Sequence, residues 1–273
     1  MIRVKSFGSN LLFAVSGLVM VYPFFRMITA SMEPGAAAYH MPPNFFPKPD
    51  IANYVTIFTG ATPLARNILN SFIVTIIVTV LQLIFSPLAA FAFARFRFFG
   101  RDKIFMLLIG SLMVPIQVTT IPLFILMSKL HLINTLASVI LLSLNGAFGI
   151  FLMRQFFLSL PLALFEAAEI DGAGAFYIYR KIALPLVKPG LATLGILTFV
   201  GSWSAFFLPY FFLNNLDSST LPIGFLSLFG PYNTFDQGNV LAAASVAIFP
   251  VFLIFIVAQR WIVESLSRSG LKG

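Results

Sequence analysis

The stretch Glu166-Ala167-Ala168-Glu169-Ile170-Asp171-Gly172-Ala173-Gly174, running on to Ile182-Ala183-Leu184-Pro185, decides how this chain is read. It is the longest charge-bearing break in a sequence otherwise composed for lipid. Leu162 to Ile170 reads as a short helix, with Pro161 near its first turn, where a missing N–H costs nothing. Gly172 and Gly174 stop it, because glycine takes the backbone conformations of a sharp turn. Ala175 to Leu184 reads as a second short helix ended by Pro185. Ala167 and Ala168 are small enough for a foreign backbone to approach, and Glu166 and Glu169, three apart, neighbour each other on the helix surface. The pattern suits a plug for a groove on a partner. It also suits an amphipathic connector lying on a membrane surface.

The rest of the chain sets the class. Of 273 residues, 59% are hydrophobic and only 10% charged, whereas soluble domains carry about 25% charged residues. Long runs without charge cover Ile68 to Ala94, Ile104 to Ser128, Leu132 to Met153, Pro189 to Leu216 and Gln237 to Gln259. Each exceeds the roughly 20 residues that cross a bilayer as a helix, and helix is the form that satisfies every backbone group inside lipid. With Leu11 to Met32 they make six spans, near 11–32, 68–94, 104–128, 132–153, 189–213 and 238–259, in one transmembrane domain whose cytoplasmic loop is 160–186. The expected fold is an all-α polytopic membrane protein. Arg3 and Lys5 ahead of Leu11–Phe25, with Ala36-Ala37-Ala38 beyond, imitate a secretory signal. Arg26 and Glu33 intervene and more spans follow, so a first transmembrane helix is the better reading.

Orientation follows from the basic residues. With both termini in the cytoplasm, only Arg26, Lys48, Arg66 and Lys129 of the 17 Lys and Arg fall outside, a clear positive-inside bias. This puts the Glu166 loop inside. The net charge of +8 is explained by topology and not by nucleic acid, since the basic residues are scattered between apolar runs. Two outer segments are long. Glu33 to Asn67, rich in proline, reads as irregular; Leu213 to Asp236, bearing Asp217 and Asp236 and no basic residue, is the better surface for an external partner.

Several chemistries are absent from the sequence. There is no cysteine, hence no disulfide and no thiolate metal site. No phosphate-binding Gly-x-x-x-x-Gly-Lys-Ser/Thr loop occurs, and Gly172-x-Gly174 lacks the third glycine and preceding strand of a dinucleotide site. His40 and His131 lack companions at metal-ligand spacing. The spans hold no acid or histidine of the kind ion-driven carriers keep at membrane depth. They offer neutral polar groups instead: Gln82, Gln117, Asn145, Ser202 and Ser204. A passage without an ionic relay needs energy from outside the chain, and the Glu166 loop is where it would enter.

The Glu-Ala-Ala, Gly172 and Ile182-x-Leu184-Pro185 spacing resembles the cytoplasmic signature of ABC-importer membrane subunits. Asn70-Ser71-Phe72-Ile73-Val74-Thr75, Leu88 to Arg95, Phe151 to Phe157, Leu221-Pro222-Ile223-Gly224, Gln259-Arg260-Trp261 and the ending Gly270-Leu271-Lys272-Gly273 are similar to the carbohydrate-uptake branch, the type of the second maltose-permease subunit. One departure stands out: Ser204 and Ala205 follow Gly201-Ser202-Trp203 where the family often has Asn and an acidic residue.

The resemblance implies a type I importer permease fold with two short coupling helices. It implies a pore shared with a second homologous permease chain, two ATPase subunits carrying ATP and Mg, and an external solute-binding protein. This chain would bind no cofactor and perform no catalysis. Coupling falls to Glu166, Ala167, Ala168, Asp171, Gly172, Ile182, Leu184 and Pro185, and the tail Glu264 to Gly273 would reach between the ATPases. The cargo would be an oligosaccharide or related polyol, and the location a bacterial or archaeal cytoplasmic membrane. For the solute path, Asn145 and Trp203 offer an amide and a ring face suited to a sugar, although Trp203 also suits packing and Asn145-Gly146 a helix break. A self-sufficient carrier or channel, or a scaffold, are the competing classes.

Overall fold

The computed structural model describes residues 2–33, 44–46, 48–60, 64–229 and 236–270, and among these the chain is helical, without strands. Ala36-Ala37-Ala38, His40, five of the six prolines of the first outer segment, part of the second outer segment (230–235) and the last three residues lie outside that set. Helix α1 is Ile2–Ser31, α2 Ala52–Thr59, α3 Ala65–Arg95, α4 Arg101–Ser111 and α5 Ile116–Lys129. Helices α6 (Leu136–Ser143), α7 (Ala147–Leu158) and α8 (Ala163–Ile170) follow. Next come α9 (Ala175–Tyr177), a π-helical stretch Ile178–Ala183, α10 (Leu184–Leu186), α11 (Lys188–Trp203), α12 (Phe207–Phe212), α13 (Leu221–Ser227) and α14 (Gln237–Gly270).

Four stretches are long and apolar enough to cross a membrane alone, Gly8–Ser31, Ala65–Arg95, Leu136–Leu158 and Gln237–Val257, and the number rises to six if two bent pairs each count as one span. The bends change the expected outlines. The run 104–128 is two helices meeting at 98°. Pro115 causes the break: it sits at the head of α5 in extended backbone, lacks an N–H, and disfavours helix in the residue before it. The run 189–213 is continuous only to Trp203, with Ser204 and Ala205 separating α11 from α12. Where 132–153 was expected, helix begins at Leu136, breaks at Asn145-Gly146 and continues to Leu158. Prolines inside α1, α3, α5 and α14 are tolerated as membrane helices tolerate them, their freed carbonyls being satisfied by neighbours.

The chain divides into two compact units, Met1–Ile68 with Ile223–Pro250, and Leu69–Pro222 with Val251–Gly273. In the first, the expected irregular outer segment contains α2. Asp50 accepts a hydrogen bond from the Ala52 N–H at 2.8 Å and so opens the helix. Asn53, buried, donates to the carbonyls of Ser31 and Glu33, both at 2.8 Å, and ties α2 to the end of α1. The apolar window of α1 has no buried residue. In the second unit, Val74, Val78, Met127, Val139, Phe212 and Leu213 form one core. His131 and Asn134 take left-handed backbone in the turn between α5 and α6, and the Asn134 side chain accepts from the Asn214 N–H at 2.6 Å. The larger core of this unit lies under α8.

Candidate functional site

Helix α8 has two faces. Phe165 and Ala168 point inward and are buried, while Leu164, Glu166, Ala167, Glu169 and Ile170 are exposed. This is the three-residue spacing of a helix with a single buried stripe. Phe165 meets an aromatic cluster centred on Phe91 of α3, whose ring centroid is 5.4 Å from Phe157, 6.4 Å from Phe165 and 5.3 Å from Tyr179. Ala90, Met153, Ile178, Ala183, Val187 and Leu194 complete this core. Aromatic pairs at such separations add about 0.5–1.5 kcal/mol each beyond their area.

The end of α8 is closed by a full Schellman motif. The Gly172 N–H donates to the Glu169 carbonyl at 3.0 Å and the Ala173 N–H to the Ala168 carbonyl at 2.9 Å. The motif needs left-handed backbone at one position, and Gly172 supplies it with φ of 80°. Gly174 has an ordinary φ of −71°, so only the first of the two glycines is required by conformation. The second stretch differs from expectation at Pro185. Helix runs from Ala175 to Leu186, through that proline. The π turn ahead of it, in which the Leu184 N–H bonds back five residues to the Tyr179 carbonyl, widens the backbone where a proline ring would otherwise clash with the carbonyl four residues earlier.

The coupling candidates therefore separate. Glu166, Ala167, Asp171, Gly172 and Pro185 are exposed, Ile182 and Leu184 are half-buried against the aromatic core, and Ala168 is buried in it. Ala168 is thus not open to a foreign backbone, as its size suggested; its smallness lets α8 lie close on the core. Between α8 and the second stretch is a recess of about 600 Å³, lined by Asp171, Gly172, Tyr177 and Lys181 among others. Ile170 and Phe176 beside it are 86% and 66% exposed. The surface thus carries carboxylates on one side, Arg180 and Lys181 on the other, and uncovered apolar side chains between.

One side chain fastens this segment from behind. Arg95, the last residue of α3, donates from Nη2 to the carbonyls of Phe157 at 2.8 Å and Leu160 at 3.0 Å. Its guanidinium lies 3.7 Å from the centre of the Phe165 ring. The sequence marks Arg95 as an inward charge and as the end of the family-like stretch Leu88 to Arg95, and neither reading discloses these contacts.

A second cavity of about 350 Å³ lies beside the α6–α7 break. Gln82, Ser143, Asn145, Thr198 and Ser202 line it together with apolar side chains. The Ser86 hydroxyl donates to Gln82 Oε1 at 2.6 Å, and a buried Ser202 Oγ has no hydrogen-bond partner. Glycine at 149 permits this crowding, since a Cβ there would stand 2.7 Å from Ser86 Oγ. Asn145 is exposed to this cavity, with Gly146 beside it in the break. Trp203 is not on its wall. It is 4% exposed, packed edge-on to Phe72 at 4.7 Å and stacked on Phe199 at 6.1 Å. Of the neutral polar residues in the spans, the fold gathers Gln82, Asn145 and Ser202 here and leaves Gln117 and Ser204 apart. Among the described residues no group of His, Asp and Glu is arranged to hold a metal.

A bent, broken-helix bundle with a two-helix loop at one end has known counterparts. Residues 82–268 match the family of binding-protein-dependent transport system inner membrane components. The chain belongs to this family. The permease is 36% identical over 265 residues to the arabinooligosaccharides transport system permease protein AraQ of Halalkalibacterium halodurans, covering 96% of this chain and 94% of that one. It is 29% identical to the sn-glycerol-3-phosphate transport system permease protein UgpE of Yersinia pestis over 95% of each. Its fold is that of a chain in a bacterial ABC transporter involved in the import of the acidic polysaccharide alginate, with a TM-score of 0.80, 24% identity, and coverage of 94% of this chain and 96% of that one. The expected type I importer permease fold, and a role as membrane subunit and not as enzyme, therefore stand. The permease is a multi-pass inner-membrane protein.

Proposed function

We propose that the permease forms half of the solute pathway of an ATP-driven importer of an oligosaccharide or related polyol, and that partner ATPases grip it at residues 160–186. The observation that carries this reading is the division of α8. Its inner face is locked into an aromatic core, while Glu166, Ala167, Glu169 and Ile170 face outward, uncovered by the described residues. ATP and Mg belong to the ATPases. Closure of the ATPase dimer draws two such segments together, and the spans rock between two discrete packings. A second homologous permease chain completes the pore, a solute-binding protein delivers the cargo from outside, and both termini lie in the cytoplasm. The named relatives favour a carbohydrate or polyol derivative as cargo, and a wall of hydroxyls and amides suits one. Asn145, with Gln82 and Ser202, lies on the path; Trp203 shapes it from behind.

The test is reconstitution with the ATPases, second permease and binding protein. Glu166→Lys places a like charge against a site built for an anion, and Gly172→Pro forces out the left-handed backbone. Both variants should insert and yet lose solute-stimulated ATP hydrolysis. Normal stimulation in both sinks the coupling role. Solute uptake by the purified chain alone, driven by an ion gradient, points instead to a self-sufficient carrier.

A further inference from the structure

We propose that Arg95 is the positioning residue that makes α8 and the cytoplasmic end of α3 one rigid lever, so that a push on α8 is delivered to the polar cavity. The inference rests on the coupling role of 160–186 proposed above. Three facts carry it. First, the joint between α7 and α8 is weakly hydrogen-bonded: Ser159 to Leu162 is a turn, in which the Leu160 N–H bonds the Phe157 carbonyl at a long 3.3 Å. Left to itself, such a turn would absorb motion. Second, Arg95 bridges that turn. Its two bonds satisfy carbonyls at and just beyond the end of α7, groups left without helical partners, while its planar head covers the Phe165 ring of α8. One side chain thus holds three elements. Third, α3 continues from Arg95, past Pro87, to Gln82, about 20 Å away along the helix axis at ~1.5 Å per residue. There Gln82 lines the cavity beside Asn145.

Lysine is not an equivalent. It offers a point charge on a flexible stem, without the planar face that stacks on a ring. A residue needed only for inward charge would tolerate that exchange, and a lever would not.

The chain has no cysteine, so introduced thiols are its only ones. Leu88 of α3 and Leu164 of α8, 48% and 45% exposed, lie on the two elements the lever joins. Spin labels on Leu88→Cys and Leu164→Cys in the assembled importer report their separation without nucleotide and with ATP. A lever gives one narrow distance, the same in both states. Arg95→Leu should broaden it, and the ratio of solute-stimulated to basal ATP hydrolysis should fall about tenfold, within the usual range for a lost coupling between sites. Arg95→Lys should fall between. An unlabelled-position control, Ile170→Cys, is cross-linked to the ATPase. No cross-link sinks the coupling reading itself; a cross-link together with a wild-type separation that changes on ATP binding sinks only the lever. Full stimulation in Arg95→Lys reduces Arg95 to a topological charge and overturns the proposal. If Arg95→Leu does not assemble, the wild-type separation decides alone.

Discussion

The two ends of the larger unit are built on opposite principles. Under α8, Phe91, Phe157, Phe165 and Tyr179 interlock, the helix end is capped, and Arg95 closes the joint. Beside Asn145 the helices are broken, and among the described residues the buried Ser202 hydroxyl on the same cavity has no partner. The first region is largely closed by its own side chains, although Arg95 Nε is itself buried without a partner among the described residues. The second is left half-built, as suits a wall that a second chain and a passing solute complete. Under the proposed function, force is received at the more self-sufficient end and cargo is handled at the other.

That contrast can be broken experimentally. Phe91→Ala should have the largest effect, removing the hub of the aromatic core at a cost of about 3–5 kcal/mol. The detergent-solubilised complex should melt at lower temperature, and the 160–186 loop should become cleavable by protease; an unchanged melt would show the cluster to be redundant. Gly149→Val comes next. Its Cβ would meet Ser86 Oγ at 2.7 Å and Leu194 Cδ1 at 3.1 Å, an overpacking cost of about 1–3 kcal/mol, and it should reduce uptake more than it reduces stability. Gln82→Leu takes the acceptor from the buried Ser86 hydroxyl, at a cost of about 1–3 kcal/mol, and should raise the solute KM about tenfold. A fall in stability with KM unchanged would assign Gln82 to packing. Trp203→Phe should be the smallest, with KM unaltered; a shifted KM would return Trp203 to the solute path.

The legible parts of this molecule were those a single residue type dictates. Gly172 was readable because a Schellman turn demands φ near the observed 80°, whereas the Asn145-Gly146 break was no more than an alternative inside a span expected to run unbroken over 132–153. The side on which Ala168 lies was not readable, since two adjacent alanines give no clue to which one faces inward. Pro185 misled because a proline ends an ordinary helix, and only a π turn, invisible in composition, lets the helix run through it. Pro115 held the clue to the 98° bend, but an uninterrupted apolar run outweighed it. Arg95 was read from its charge and from its place at the end of Leu88 to Arg95; its pairing with Phe157 and Leu160 joins positions more than sixty residues apart, which no local pattern encodes.

The uncovered length of α1 has a consequence for the life of the protein. A helix with none of its apolar window buried among the described residues is held along that window by lipid and companions, its own chain fastening it at the Ser31 end. A copy synthesised without them would offer a bilayer-deep greasy flank to whatever drifts past, so the cell must either make the subunits in step or clear the orphans by proteolysis.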